Sequence, residues 1–295
     1  MSYARLLERA KRKMNKKNLD PKTVASFGEE WSRFDQSGMK VEEGQKIFGE
    51  YFAVFPWASL PKDAEGFDMG CGSGRWARWV APRVGRLHCI DPSVAIDVAR
   101  ANLADLCNVE FHCASVDNSG LAPVSQDFGY SLGVLHHVPD TAAAIRSCVT
   151  LLKPGAPFLL YLYYAFDKRP VWFRFLWRVS DGFRRIVHRL PGWLKHSLTD
   201  AIAACVYWPL ARLSGILEKL GSNVHGIPLS YYRNHSFYTM RTDARDRFGT
   251  PLEQRFKRVD IEKMMRVAGL VDIQFSEAAP YWCAVGTKMN NLCAD

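Results

Sequence analysis

The stretch "DMGCGSGRW", residues 68–76, sets glycines at 70, 72 and 74 in strict alternation with small residues, with Asp68 ahead of them and Arg75 behind. Glycines let a backbone turn tightly and pass close to a ligand. A P-loop is excluded, because no G-K-[ST] follows and no lysine reaches toward a phosphate. The dinucleotide fingerprint G-x-G-x-x-G is not matched either, since its third glycine, which packs helix on strand, falls out of register here. Seventeen residues after Gly74, the run "LHCID" ends on Asp91. An acidic residue at the end of a second strand can accept hydrogen bonds from ribose hydroxyls. A carboxylate at Asp68 would repel a pyrophosphate and attract a cation. Together the two acids point to a ligand with a ribose and a positive charge, and no phosphate.

Outward from this loop the chain alternates strand and helix. "GFDMG" reads as a strand and "GRWARWVAPRV" as the helix after it. "RLHCIDPS", "VEFHCASV", "DFGYSLGVLHHV" and "APFLLYLYYA" read as further strands. Between them "SVAIDVARANLADL", with Ser93 as N-cap, and "DTAAAIRSCVTLL" read as helices, the second stopped by "KPG". The helix "VDIEKMMRVAGL" and the strands "VDIQFSE" and "YWCAVGTKM" close the chain. This rhythm predicts an α/β fold, a doubly wound, mostly parallel seven-stranded sheet with a helical cap inserted after the fifth strand. The expected divisions are an N-terminal helical or lid segment (1–58, its first 20 residues a basic helix), the cofactor-binding core (59–166), a basic and aromatic cap (167–257) and a C-terminal completion (258–295). In such sheets ligands bind beyond the carboxyl ends of the strands.

"GFDMGCGSGRW", "CIDPS", "GYSLGVLHHVPD" and "LLKPG" together resemble the class I (Rossmann-like) S-adenosylmethionine-dependent methyltransferases, over about residues 60–165 and the last forty. The resemblance implies S-adenosyl-L-methionine as cofactor. Asp68, Gly70, Cys71 and Gly72 would line its amino-acid end, with Asp68 acting directly or through water, and Asp91 with Pro92 its ribose. The stretch "ASVDN" would flank the adenine, with Asp117 or the Val116 backbone amide in place of the acidic residue that many relatives have where this chain has Ser115. Gly133 would lie beside the sulfonium, and Trp31, with Phe27, belongs to an aromatic segment that could close over the cofactor. Of the adjacent His136 and His137, set on a strand end and so pointing opposite ways, His136 is favoured as the catalytic member on the family pattern. His235 and Asp243 are further candidates for a base, and Tyr231, Tyr232, Tyr238 and Arg241 for substrate contacts in the non-helical stretch "SYYRNHSFYTMRTDARDRFGT".

The 295 residues are 48% hydrophobic and 23% charged, the balance of a folded globular protein. Eight cysteines form no C-x-x-C and no zinc-spaced cluster, which fits free thiols in a reducing cytoplasm. No acidic trio marks a metal site, so metal-independent chemistry is expected. The net charge of +9 is uneven: residues 168–258 hold 17 Lys/Arg against 6 Asp/Glu, a net of +11. In "VWFRFLWR" arginines alternate with aromatics, so peripheral membrane contact through basic amphipathic cap helices joins a cytoplasmic location among the expectations. No run is long enough to span a bilayer. The acceptor expected is a small molecule, glycan or lipid-linked sugar methylated at a hydroxyl with base assistance. Nucleic acid is disfavoured, because no N-P-P-Y tetrad or binding module is present. The alternatives left open are a non-catalytic cofactor-binding or regulatory member of the fold, and N-methylation of a small molecule or nucleic acid.

Overall fold

A computed structural model of the protein describes residues 18–166, 169–224, 226–280 and 282–290. The basic helix expected at the N-terminus falls almost wholly outside them. Seven strands, β1 (Glu65–Met69), β2 (Arg86–Ile90), β3 (Val109–His112), β4 (Phe128–Leu132), β5 (Pro157–Tyr161), β6 (Leu270–Phe275) and β7 (Cys283–Lys288), form one sheet in the order β3-β2-β1-β4-β5-β7-β6. The first five are mutually parallel, and β7 runs antiparallel to both β5 and β6. The order reverses between β1 and β4, which places the switch-point crevice directly over the glycine loop.

The central strands read as continuous apolar runs because helices cover both faces. One face packs Leu87, Cys89, Phe128 and Tyr130 against Ile47 and Phe48 of α2 (Val41–Tyr51) and its C-cap Phe52. The other packs Phe67, Phe158 and Leu160 against α5 (Thr141–Leu151) and α10 (Arg258–Val267). After the glycine loop only one turn of regular helix forms, α3 (Ala77–Val80), followed by a 3-10 turn at Ala81–Arg83 that contains Pro82. The expected 74–84 helix is thus shortened, since a proline there removes a backbone donor. Likewise α4 (Ala95–Asn102) starts after Val94, and Ser93 Oγ accepts from the Ala95 amide instead of capping at the first position.

Before the sheet comes α1 (Pro21–Arg33), N-capped by Asp20. The cap after β5 consists of α6 (Val171–Val187), α7 (Gly192–Ile202), a π-turn (Ala203–Tyr207), α8 (Trp208–Lys219), a 3-10 turn (Ser230–Asn234) and α9 (Phe237–Gly249). These helices share a core of their own, with Val187, Tyr207, Ala211, Met240, Ala244 and Phe248 at its centre. The stretch around 237–249 is therefore helical, not irregular as expected. Ser236 caps it by accepting from the Thr239 amide.

Candidate active site

A cavity of about 1170 Å³ lies between the carboxyl ends of β1, β2 and β4 and the cap. Ligand pockets usually hold about 300–1,000 Å³, so there is room for more than one small molecule. Its floor is the glycine loop. Gly70 and Gly72 have φ of +83° and +52°, and a Cβ on them would stand 2.3 Å from Val134 Cγ1 and 2.9 Å from Trp31 Nε1. Both the left-handed backbone and the close approach need glycine. Gly133, at φ +80°, faces open space, with nothing closer to a built Cβ than Tyr161 Cδ1 at 4.0 Å.

Asp91 stands on the cavity wall beside Pro92. Its Oδ2 accepts from the Gly72 amide (3.0 Å), and its Oδ1 accepts from the Ser93 amide (2.8 Å) and hydroxyl (2.6 Å). A carboxylate offers about four lone-pair sites, so one on Oδ2 stays available to a ribose hydroxyl while the others clamp the loop. A nucleoside without phosphates fits this wall: backbone cradle, carboxylate, Trp31 and Phe27 from α1, and no lysine in the loop.

Other residues expected in this half lie elsewhere. Asp68 is fully buried and does not line the cavity. Burial, helped by the neighbouring Asp91 charge, pushes its carboxyl up to about 8. As a neutral acid under the loop it has no direct reach to a ligand. Val116 packs in the core beside Met69 and Ile90. Asp117 accepts from the Ser115 hydroxyl (2.6 Å) and the Asn18 amide (3.1 Å), so it fastens the start of the described chain to the core and leaves the cavity wall.

The histidine pair is not on a strand end. Residues 135–137 form a 3-10 turn that buries both rings. His136 is sealed behind the wall against Tyr163, with ring centroids 3.9 Å apart, and is not catalytic in this arrangement. His137 is the one on the wall, edge-on to Phe27 at 4.8 Å. Its Nδ1 lies 2.6 Å from the Leu252 carbonyl oxygen. A carbonyl only accepts, so Nδ1 carries the proton and Nε2 keeps its lone pair. Nε2 is buried without a hydrogen-bond partner and stands 3.9 Å from Asp246 Oδ1. Burial holds the His137 pKa below the usual histidine value, with Asp246 opposing.

In the cap half, α9 sorts the remaining candidates by helical periodicity. Asp243, Asp246 and Arg247 (i, i+3, i+4) face the cavity. Tyr238 and Arg241, three apart on another face, do not line it. The Tyr238 hydroxyl accepts from the Gln36 amide, and Arg241 forms a two-pronged pair with Asp200 at 2.8 and 3.0 Å, so both hold the cap against its neighbours. Asp243 accepts from the Tyr232 hydroxyl (2.8 Å), and burial pushes its carboxyl up to about 6. Tyr231 donates to Glu50 (3.1 Å), and its carbonyl meets His235 Nδ1 at 3.0 Å. Tyr231, Tyr232 and His235 all line the cavity.

Several wall residues escaped the sequence reading. Glu30 of α1 is fully buried with neither oxygen hydrogen-bonded, and burial raises its pKa. The only signal was its spacing of seven from Thr23 and three from Phe27, which puts all three on one helix face. Asp246 accepts from the Tyr163 hydroxyl. Glu253 binds both Arg247 (3.0 Å) and Arg255 (2.8 Å), while Arg255 lies over the Tyr163, Phe166 and Trp177 rings. The cations in this half are thus engaged by protein carboxylates and aromatic faces. Among the described residues, the one side-chain group spaced for a metal ion is His88, Glu110 and His112, on β2 and β3 outside the cavity.

Comparison with known proteins agrees with this geometry. Residues 67–160 match a family model described as a methyltransferase domain. Over 92 residues the chain is 36% identical to a ubiquinone biosynthesis O-methyltransferase of Stutzerimonas stutzeri, covering 30% of this chain and 39% of that protein. Over 152 residues it is 26% identical to the protein of the same name from Idiomarina loihiensis, covering 48% and 60%. The chain therefore spans about two fifths to three fifths of the length of these curated relatives. A solved O-methyltransferase family protein from Burkholderia thailandensis shares the fold, with a TM-score of 0.54 over 88% of this chain and 60% of that one at 15% identity. The match over residues 67–160 marks this part of the chain as a methyltransferase domain, and the sheet order is that of an α/β methyltransferase fold.

Proposed function

We propose that the protein transfers a methyl group from S-adenosyl-L-methionine to a hydroxyl of a small, largely apolar acceptor, with His137 as general base. The observation that carries this is the His137 imidazole. Its tautomer is fixed by the Leu252 carbonyl, its buried Nε2 has no hydrogen-bond partner, and the residue borders the cavity that also holds the glycine cradle.

S-adenosyl-L-methionine, when bound, supplies an electrophilic methyl group, and the chain supplies position and proton acceptance. Gly70, Gly72 and Asp91 would hold the nucleoside and amino-acid portions, while Trp31 covers the loop. Gly133 leaves the space next to Tyr161 open for the reacting centres. His137 Nε2 takes the acceptor proton, and Asp246 Oδ1, 3.9 Å away, stabilises the imidazolium that results. A base that is neutral at pH 7 suits this role, and burial keeps His137 in that form.

The acceptor class follows from the cap wall. Phe166, Phe173, Trp177, Phe183 and Tyr207 give it an apolar, aromatic surface. Arg247 and Arg255 are held on Glu253, and the aromatic surface favours an apolar body over a nucleotide or glycan. Tyr231, Tyr232 and Asp243 form a polar corner that can orient a second oxygen. Relatives named as ubiquinone O-methyltransferases support a hydroxyl as the methylated group.

Two measurements test the reading. Calorimetry with S-adenosylhomocysteine should detect binding that Asp91→Ala weakens. Incubation with labelled S-adenosylmethionine and a panel of alkyl-substituted phenols should label the phenols with wild type and not with His137→Gln. Binding without transfer to any phenol, amine or lipid extract would instead identify a cofactor-binding scaffold.

A further inference from the structure

Helix α6 is amphipathic in a sense opposite to what water demands. Its inward face carries the polar pair Asp181–Arg184, joined at 2.8 Å, with Phe173, Trp177 and Val187. Its outward face carries Trp172, Phe175, Leu176, Val179, Phe183 and Ile186, spaced i, i+3, i+4, i+7, i+11 and i+14. All six are exposed, from 44% at Phe183 to 66% at Phe175. Beside them runs a second exposed row, Arg174, Arg178, Arg185 and Arg189, at i, i+4, i+11 and i+15. A second exposed apolar stripe, Val206, Leu213, Ile216 and Leu220, runs along the π-turn, α8 and its C-cap. A surface of this extent, left in water by a monomer, marks an interaction site.

The stripes are tied to the cavity. Leu176, Val179 and Phe183 of one and Val206 of the other are both exposed and part of the cavity lining. Both stripes therefore border its mouth.

We propose that this face of the cap docks on an anionic lipid bilayer, its apolar stripes at the headgroup–acyl boundary and its arginine row on the lipid phosphates. Helices of this type lie in the interface plane, and each basic side chain near the surface adds electrostatic attraction to anionic lipid. The net charge of +11 over residues 168–258 suits that partner. A second copy of the chain suits it poorly, since a two-fold contact would bring arginine row against arginine row. No helix among the described residues is long and apolar enough to cross the membrane, and the contact proposed is that of cap helices lying on its surface. Resting on the acceptor class argued above, the consequence is that an apolar acceptor moves from the bilayer into the cavity without passing through water.

The full-length protein, without cofactor, is sedimented with vesicles of phosphatidylcholine alone or doped with phosphatidylglycerol. Wild type should pellet with the anionic vesicles, less so at high salt, and weakly with the neutral ones. Phe175→Glu with Ile216→Glu, one on each stripe and neither lining the cavity, should lower partitioning about tenfold or more, because the cost of inserting charge follows depth. Arg174→Glu with Arg178→Glu should abolish the preference for anionic over neutral vesicles. Circular dichroism and thermal melting should leave all variants folded, since the side chains are exposed. The proposal is overturned if wild type ignores both vesicle types, or if the Phe175/Ile216 variant pellets as wild type does. It is equally overturned if light scattering finds a dimer that this variant breaks while vesicles are ignored. Vesicle binding without methyl transfer to any acceptor would overturn the functional reading alone. Methyl transfer without vesicle binding would overturn this one alone.

Discussion

The two walls of the cavity are built by different means. The cofactor wall is written in backbone conformation: left-handed glycines at 70 and 72, and one carboxylate, Asp91, that ties strand end to loop. Its parts are close in sequence, and their chemistry follows from residue type. The cap wall is assembled from side chains brought together over long distances. Tyr163 after β5 meets Asp246 of α9 across 83 positions, and His137, on the turn after β4, depends on Leu252, 115 residues further on. The first wall should tolerate little change at a few positions. The second should divide sharply between residues that face the cavity and residues that only hold the helices in place.

The largest effect is expected at His137. Replacing it by Gln keeps a polar side chain but removes the base, and general-base loss costs about 10²–10⁴ in kcat. Affinity for S-adenosylhomocysteine should stay near wild type, because the cofactor wall is untouched. The wild-type rate should fall on the acid side as Nε2 is protonated. Since burial lowers the His137 pKa, that limb should lie below the ordinary histidine range, and Asp246→Asn, which removes the opposing charge, should move it lower still. His136→Gln, behind the wall, should leave the position of the limb unchanged. If His136 controls it, the assignment of the two rings is wrong.

Next comes Asp91→Ala. A hydrogen bond to a charged group contributes about 1.5–3 kcal/mol, and here the carboxylate also holds the Gly72 and Ser93 amides. Cofactor affinity should fall about 10- to 100-fold, with Asp91→Asn in between, as calorimetry would show. A mutant binding as tightly as wild type would remove the ribose from this wall.

A third contrast concerns Asp68, which was read as a cofactor contact and is instead a buried acid under the loop. Its carboxyl titrates at about 8 when folded, against about 3.9 in an unfolded chain. Between these values the folded state binds a proton that the unfolded state has released, so stability contributed by this group falls as pH rises from about 4 to 8. Asp91 and Glu30, also raised by burial, bend the curve the same way. Thermal melting across this window should therefore show a decline in wild type that Asp68→Asn makes shallower. An unchanged slope would mean that Asp68 is ionised in the folded protein.

How much of this was legible follows the same division. The sheet, its doubly wound order and the glycine loop were readable because apolar runs, glycine spacing and Asp91 are local signals. The split of the "SYYRNHSFYTMRTDARDRFGT" candidates was not, because the stretch looked irregular. Once it is helical, a period of 3.6 turns Asp243 and Asp246 toward the cavity and Tyr238 and Arg241 away from it. His136 and His137 were misread for a related reason. Alternation on a strand separates neighbours cleanly, whereas the 3-10 turn buries both, and only the carbonyl of Leu252 distinguishes them. Glu30 was missed because an acid on an amphipathic helix ordinarily belongs to its solvated face.

The smallest effect separates holding from binding most directly. Arg241 pairs with Asp200, and Arg33 reaches the same carboxylate at 2.5 Å, so one acid links α1, α7 and α9. All three side chains are about 30% exposed, and ion pairs at that exposure contribute about 0–1 kcal/mol each. If Arg241 only fastens the cap, Arg241→Ala should cost little stability and leave KM for any acceptor near wild type. Asp200→Ala should cost more, since it frees two cations at once, and the double variant should melt no lower than Asp200→Ala alone, because residues sharing one partner do not add. A large rise in acceptor KM for Arg241→Ala, with melting unchanged, would instead return this arginine to the substrate wall, and with it the reading of the whole 231–243 stretch as a continuous binding surface.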